Sequence, residues 1–258
     1  VQDNVFAPLG LSDTRYLPAT KACGPHQVRG TAIVFEGVPS GPCPPGTWST
    51  GLLARVAPTA HDDDTPGINP DFDHLIRGTV HDPTARRMGG TGGSAGVFST
   101  VADIGRYAQA LLDRLAGRTS PFPLAQPTAE LMATPQQPGH NAGQLPAADA
   151  ASRAAIENHP NPTDPLLAPN YPAIPGQELR SFGWDIDTEH SRPRGMVFPV
   201  GSFGHTGFTG VTLWIDPGSD TYVAVLANVI HQRGGPPIAR LSGEIATEAA
   251  RALRLYGS

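Results

Sequence analysis

An α+β fold is what this sequence predicts, and three observations carry the prediction. Residues 203–229 hold three strand-like runs, Phe203–Phe208, Val211–Ile215 and Tyr222–Val229. A tight-turn sequence, Pro217-Gly218-Ser219-Asp220, separates the last two. Pro236 and Pro237 then open a helical pattern whose apolar positions are Ile238, Leu241, Ile245, Ala249 and Leu253. Upstream, Val101, Ile104, Ala108, Leu111, Leu112 and Leu115 recur at helical spacing. Thr100 stands there as an N-cap, Asp103 completes a capping box, and Gly117 supplies the stop. Antiparallel strands closed by a helix bury their apolar side as an α+β layer.

The remaining elements follow in order. Residues 1–20 read as the end of a helix and a turn at Pro8-Leu9-Gly10-Leu11-Ser12-Asp13-Thr14. From Lys21 to about Pro70, Gly, Pro and Asp interrupt every apolar run, which predicts mostly loop with one short strand at Ala32–Phe35. A glycine-rich stretch, Gly89-Gly90-Thr91-Gly92-Gly93-Ser94-Ala95-Gly96, leads into the helix at 101. Residues 118–180 are rich in Pro and Ala. They predict a short helix around Thr128–Met132 and an extended surface insertion over 135–178.

Bulk properties exclude several classes. With 258 residues the chain suffices for one large domain or two small ones. Its 39% hydrophobic residues, 30 Gly and 28 Pro predict a folded core carrying long irregular loops. The net charge of −5 comes with no Lys/Arg run, so nucleic acid is not an expected partner. No apolar stretch approaches ~18 residues, so no transmembrane helix is expected. The chain opens Val1-Gln2-Asp3-Asn4-Val5-Phe6, with neither an initiator Met nor a signal segment, and reads as a piece of a longer protein. Cys23 and Cys43 are either a disulfide of an exported protein or two free thiols.

Three phrases in order resemble one superfamily. The first is Phe6-Ala7-Pro8-Leu9-Gly10-Leu11-Ser12-Asp13-Thr14. The second is Arg77-Gly78-Thr79-Val80-His81-Asp82-Pro83, continuing through Gly89-Gly90 to Ala95-Gly96-Val97-Phe98-Ser99-Thr100. The third is Phe182-Gly183-Trp184, then Gly204-His205-Thr206-Gly207-Phe208-Thr209-Gly210 and Leu213-Trp214-Ile215-Asp216-Pro217. Together they resemble the serine β-lactamase and penicillin-binding-protein-like hydrolases: class C β-lactamases, D-alanyl-D-alanine carboxypeptidases and related esterases. The resemblance implies the C-terminal portion of a β-lactamase/transpeptidase-like fold. Residues 1–178 would be the later part of a helical, loop-rich subdomain, with the insertion at 135–178. Residues 179–258 would be the antiparallel strands and C-terminal helix of the sheet subdomain.

That family works through an acyl-enzyme with three elements: S-x-x-K, Y-x-N or S-x-N, and K-T-G or H-T-G. Only the third is present. Lys21 is the sole lysine and Pro18 stands three residues before it. None of Tyr16, Tyr107, Tyr171, Tyr222 or Tyr256 is followed two residues later by Asn. The remaining elements look intact, so the nucleophile and its base are expected in a missing N-terminal half rather than lost during evolution, and this chain alone is expected to be inactive.

By the same resemblance, His205, Thr206, Gly207 and Phe208 form the substrate-binding strand. Its backbone edge pairs with the substrate amide, the Phe208 N–H donates to the oxyanion, and the Thr206 hydroxyl meets a substrate carboxylate. His205 stands where Lys is commoner. An ordinary histidine titrates near ~6.5, so carboxylate-bearing substrates are expected to bind more weakly as pH rises through that range. Gly207 and Gly210 fit close backbone approach to a ligand. The implied substrate is a small molecule (a β-lactam, a D-alanyl peptide or an ester), with no cofactor or metal, outside the cytoplasm.

Rival constellations are weaker. Gly92-Gly93-Ser94-Ala95-Gly96 fits the G-x-S-x-G elbow of α/β-hydrolases, with Asp185 or Asp216 and then His205 or His231 in suitable order. The polar segment His81–Met88 before it offers no buried strand, which the elbow requires. A non-catalytic module that binds a peptide along the His205 strand is a third reading. His61-Asp62-Asp63-Asp64, with His74, His81 and Asp82, matches neither an EF-hand nor a zinc spacing and reads as a solvated acidic loop. Asp82 is expected to cap or pair near the cleft. Trp184 and Trp214 are expected in the core of the sheet layer.

Overall fold

The computed structural model describes residues 1–63, 67, 72–158, 170–231 and 238–258. The chain divides into two compact units, Ser12–Thr100 with Ala227–Pro236, and Val1–Leu11 with Val101–Leu226 and Pro237–Ser258.

The first of these units is built from short ladders. Its strands are β1 (Arg15–Tyr16), β2 (Ala22–Cys23), β3 (His26–Arg29), β4 (Ala32–Phe35), β5 (Trp48–Ser49), β6 (Pro58–His61), β7 (Leu75–Arg77) and β8 (Val97–Phe98), with helix α1 at Pro83–Arg87. They pair as β1–β8, β2–β5, β3–β4 and β6–β7. More of the segment 21–63 is paired than the interrupted pattern predicts, because ladders of two to four residues are too short to impose a readable period. Leu17, Ile33, Trp48 and Leu53 form the local core. Trp48 Nε1 donates to Pro18 O at 2.8 Å, which satisfies the indole as it is buried. Cys23 and Cys43 are joined as a disulfide.

Asp82 caps α1 as expected, its carboxylate accepting from Ala85 N at 2.6 Å. Arg86, one turn further, is wholly buried and pairs with Asp62 at 2.6 Å, while its Nε donates to Val80 O at 2.7 Å. This pair explains why an acidic loop carries a buried aspartate: the charge is neutralised within the unit.

The second unit holds the sheet. Helix α2 (Val101–Leu115) buries Ala108, Leu111 and Leu112, and ends at Gly117 with φ +69°. Helix α3 spans Gln126–Ala133. The extended course expected over 135–178 is corrected by α4, Gln144–Glu157, fourteen residues with Ala148 and Ser152 buried. Its six alanines and a proline in the first turn favour helix in spite of the Pro/Ala-rich surroundings.

Strands β9 (Leu179–Arg180), β10 (Asp185–Asp187), β11 (Phe203–Gly207), β12 (Val211–Asp216) and β13 (Thr221–Leu226) form one antiparallel sheet in the order β13-β12-β11-β10-β9. β11 stops at Gly207, one residue short of the predicted run. β13 stops at Leu226 rather than Val229, because the chain then leaves the sheet and Asn228 Nδ2 donates to Pro58 O in the first unit.

Helix α5 (Ala239–Ala252) covers the sheet, and its buried face is not the one the large apolar residues predict. Ser242, Gly243, Ala246, Thr247 and Ala250 face inward, whereas Leu241, Ile245 and Leu253 are exposed. The reason is close approach. A Cβ on Gly243 would lie 2.7 Å from Arg192 O, and Ala246 and Ala250 pack with Phe198 and Trp214. Only small side chains fit there. Beneath lies a buried ion pair, Arg194 Nη2 and Asp187 Oδ1 at 3.0 Å. The Tyr171 ring is 5.0 Å from the Arg194 guanidinium, and Arg194 Nη1 donates to Ile186 O. Burial raises the Tyr171 phenol above its ordinary range, against the opposing pull of Arg194.

Candidate functional site

The residues His205-Thr206-Gly207 lie at the end of β11, just before the hairpin to β12. His205 pairs with Leu213, Thr206 with Thr212 and Gly207 with Val211. Gly210 N donates to Gly207 O at 2.9 Å and closes the turn. Two glycines make this geometry. At Gly207 a Cβ would run into Val211 Cγ2, and at Gly204 it would lie 2.7 Å from Trp214 Cδ2, with the Leu213 carbonyl closer still. Trp214 is fully buried and its Nε1 donates to Ser202 Oγ at 2.9 Å, so the tight pairing of β11 on β12 is fixed from beneath.

The other edge of β11 is covered only at its start. β10 meets β11 at the single pair Asp185–Gly204, then turns away through 181–184, where Ser181 N donates to Trp184 O at 3.0 Å. Among the described residues no strand ladders onto that edge of His205, Thr206 and Gly207. Phe208 is 78% exposed at the hairpin tip. A strand end with three residues unladdered on one side, closed by a glycine hairpin, can accept an extended peptide-like ligand.

Beside His205 stands a cluster that the sequence reading treated only in part. Asp185 is 1% exposed; its Oδ1 is 3.1 Å from Arg180 Nη2 and accepts from Thr188 Oγ1 at 3.1 Å. Its Oδ2 is 4.0 Å from His205 Nε2. Trp184 is half-buried, its ring 5.6 Å from that of Phe203. Arg180 and Thr188 escaped the sequence reading. The available signal was the four-residue turn 181–184, which sets Arg180 opposite Asp185.

The rival residues fall elsewhere. Ser94 is exposed, in bends between α1 and the two-residue β8. An elbow needs a buried strand before the serine and a helix directly after it, and the five-stranded sheet is antiparallel, so the α/β-hydrolase reading is set aside. Asp216 caps the β12–β13 turn, accepting from Gly218 N, Ser219 N, Ser219 Oγ and Tyr256 Oη. Burial, and then that bond to Asp216, push the Tyr256 phenol up to about 12. His231 belongs to the unit of Ser12–Thr100. Of the acidic loop, Asp62 is held by Arg86, Asp63 Oδ2 is 3.4 Å from His81 Nε2, and His61 Nδ1 is 2.7 Å from Asp73 O. Asp64 lies outside the described residues. No group of three or more His, Cys, Asp or Glu that could hold a metal occurs among those described.

A mixed helix and antiparallel-sheet unit with an H-T-G strand at the centre of its sheet has a β-lactamase/transpeptidase-like fold. The chain belongs to the β-lactamase family, whose model matches residues 1–241. It is 24% identical over 234 residues to a Salmonella enteritidis PT4 (strain P125109) protein named "Putative D-alanyl-D-alanine carboxypeptidase", covering 90% of this chain and 40% of that one. Among solved structures, the unliganded selenomethionyl simvastatin synthase (LovD) from Aspergillus terreus has the same fold, with a TM-score of 0.51 at 18% identity. That match covers 99% of this chain and 50% of LovD. The chain thus spans about two fifths to half the length of these relatives.

Proposed function

We propose that this chain carries the substrate-binding strand of a serine hydrolase that works through an acyl-enzyme. The single observation behind this reading is the H-T-G end of β11, where no described strand ladders onto one edge of His205–Gly207 and a glycine hairpin closes the strand. In this reading the ligand's amide pairs along His205–Gly207. The Thr206 hydroxyl meets its carboxylate, and Phe208 N–H donates to the tetrahedral oxyanion. The substrate is a D-alanyl peptide, a β-lactam or a related ester, the first being favoured by the name of the Salmonella relative. The Cys23–Cys43 disulfide supports an envelope or extracellular setting, where such bonds persist. No helix among the described residues is long and apolar enough to cross a membrane.

The nucleophilic serine and its lysine come, on this reading, from a missing N-terminal half outside these 258 residues. Residues 1–178 are then the later part of the helical subdomain, and 179–258 belong to the sheet subdomain. Two surfaces support such an addition. β13 ends the sheet with an uncharged edge, Thr221–Leu226, that no described strand covers. Leu241 and Ile245 lie on the flank of α5 away from Gly243 and Thr247, exposed at 48% and 39%.

The test joins this chain to a nucleophile-bearing segment and measures acylation by a penicillin, with and without Thr206→Val. Loss of one hydrogen bond to a charged ligand group should weaken apparent binding about tenfold or more. Equal acylation efficiency in the two proteins would remove Thr206, and with it the proposed strand, from the site.

A further inference from the structure

The buried carboxylate of Asp185, which pairs with β11 at Gly204, is only half satisfied by local structure. Its Oδ1 is held by Arg180 and Thr188, but Oδ2 has no hydrogen-bond partner among the described residues. A buried acceptor left so costs free energy that the fold does not recover locally. What Oδ2 faces is His205 Nε2, at 4.0 Å, on a side chain that is 52% exposed. The other ring nitrogen, Nδ1, is 2.7 Å from Thr206 O. A carbonyl oxygen only accepts, so Nδ1 carries hydrogen, and Nε2 facing a carboxylate is satisfied only if it carries hydrogen too.

We propose that Asp185 is a positioning residue for His205. Arg180 from β9 and Thr188 just after β10 fix one carboxylate oxygen, and the other aims the imidazole from the neighbouring strand. Opposite His205, β12 places only the uncharged Leu213. The 4.0 Å gap is about 1 Å longer than an N–H···O bond, and such contacts in unliganded sites tighten when a ligand closes them. With Nδ1 on Thr206 O and Nε2 directed at Asp185, the imidazole is held in one orientation beside Thr206. That suits a substrate carboxylate docked at Thr206. This role deepens the proposed reading of β11 and rests on it for the substrate, but the Asp185–His205 coupling can be tested without catalysis.

The experiment is nitrogen-15 spectroscopy of the His205 ring in this chain, at one pH near neutrality, for the wild type, Asp185→Asn and Asp185→Glu. Asn keeps the size and the Thr188 contact but can donate to Nε2. The expected result is hydrogen on both ring nitrogens in the wild type, and a shift toward the neutral Nδ1–H tautomer in D185N. D185E should restore at least part of the wild-type signature. Ring signals identical in the wild type and D185N would overturn the proposal. If D185N does not fold, the Asp185 carboxyl carbon-13 resonance is compared between the wild type and His205→Gln. A displaced resonance supports the coupling and an unmoved one overturns it. Failure of the joined enzyme to acylate would leave these spectra as they are, so the two readings fail separately.

Discussion

Replacing Gly204 by Ala tests how β11 is held against β12. The added Cβ would sit 2.7 Å from Trp214 Cδ2 and closer to the Leu213 carbonyl, against an ordinary carbon–carbon contact of roughly 3.5 Å or more. Neither neighbour can retreat easily. The carbonyl belongs to the β11–β12 ladder, and the Trp214 ring is held by Ser202 and packed under Ala246 and Ala250. Overpacking of this kind costs about 1–3 kcal/mol, and a rigid backbone neighbour places it at the upper end. Ala also restricts the unfolded chain, which returns about 0.4–1 kcal/mol. The net loss is therefore about 2 kcal/mol, a fall of roughly thirtyfold in the folded-to-unfolded ratio. Urea denaturation followed by tryptophan fluorescence reads this as a lower midpoint with an unchanged slope. Gly93→Ala, where nothing lies within 4 Å, is the control and should stay within about 0.5 kcal/mol. A Gly204→Ala protein as stable as the control would refute the register of β11 on β12.

Three further outcomes follow from the same structure. Arg194→Ala strands the buried Asp187 carboxylate and should cost roughly 3–5 kcal/mol in denaturant titration, whereas Arg194→Met with Asp187→Leu should recover most of it. Cys23→Ser with Cys43→Ser opens a loop of 20-residue separation and should cost about 3 kcal/mol, measured as the same loss in reduced wild type. Tyr107 packs edge-on to Phe122 and burial holds its phenol up to about 12, above the unfolded value of 10.0. The sign is that of a raised pKa: its contribution to stability is complete below pH 10 and is lost as pH rises toward 12. Tyr107→Phe should flatten that alkaline decline in a pH series of thermal melts.

Much of the fold was legible because its signals are local. The period of Val101–Leu115, the Pro217–Asp220 turn and the Asp82 cap each sit within a few residues of what they determine. The H-T-G strand was legible by resemblance, in the company of its flanking phrases. Three features were not. The inward face of α5 is chosen by close contact with Arg192 and Trp214, which favours Gly and Ala over the Leu and Ile that periodicity counts. Helix α4 was hidden by reading Pro and Ala together as irregular, although Ala favours helix and Pro146 sits in the first turn. The Arg180–Asp185–His205 cluster depends on three neighbouring strands, so no spacing along the chain announces it.

If these residues bind substrate for a nucleophile that lies outside them, this chain alone should resist covalent labelling. Intact mass is measured after incubation with a fluorophosphonate and, separately, with a penicillin. The expected result is an unmodified 258-residue chain in both cases. A stoichiometric adduct, above all one mapped to Ser94, would contradict it and place the nucleophile within this sequence.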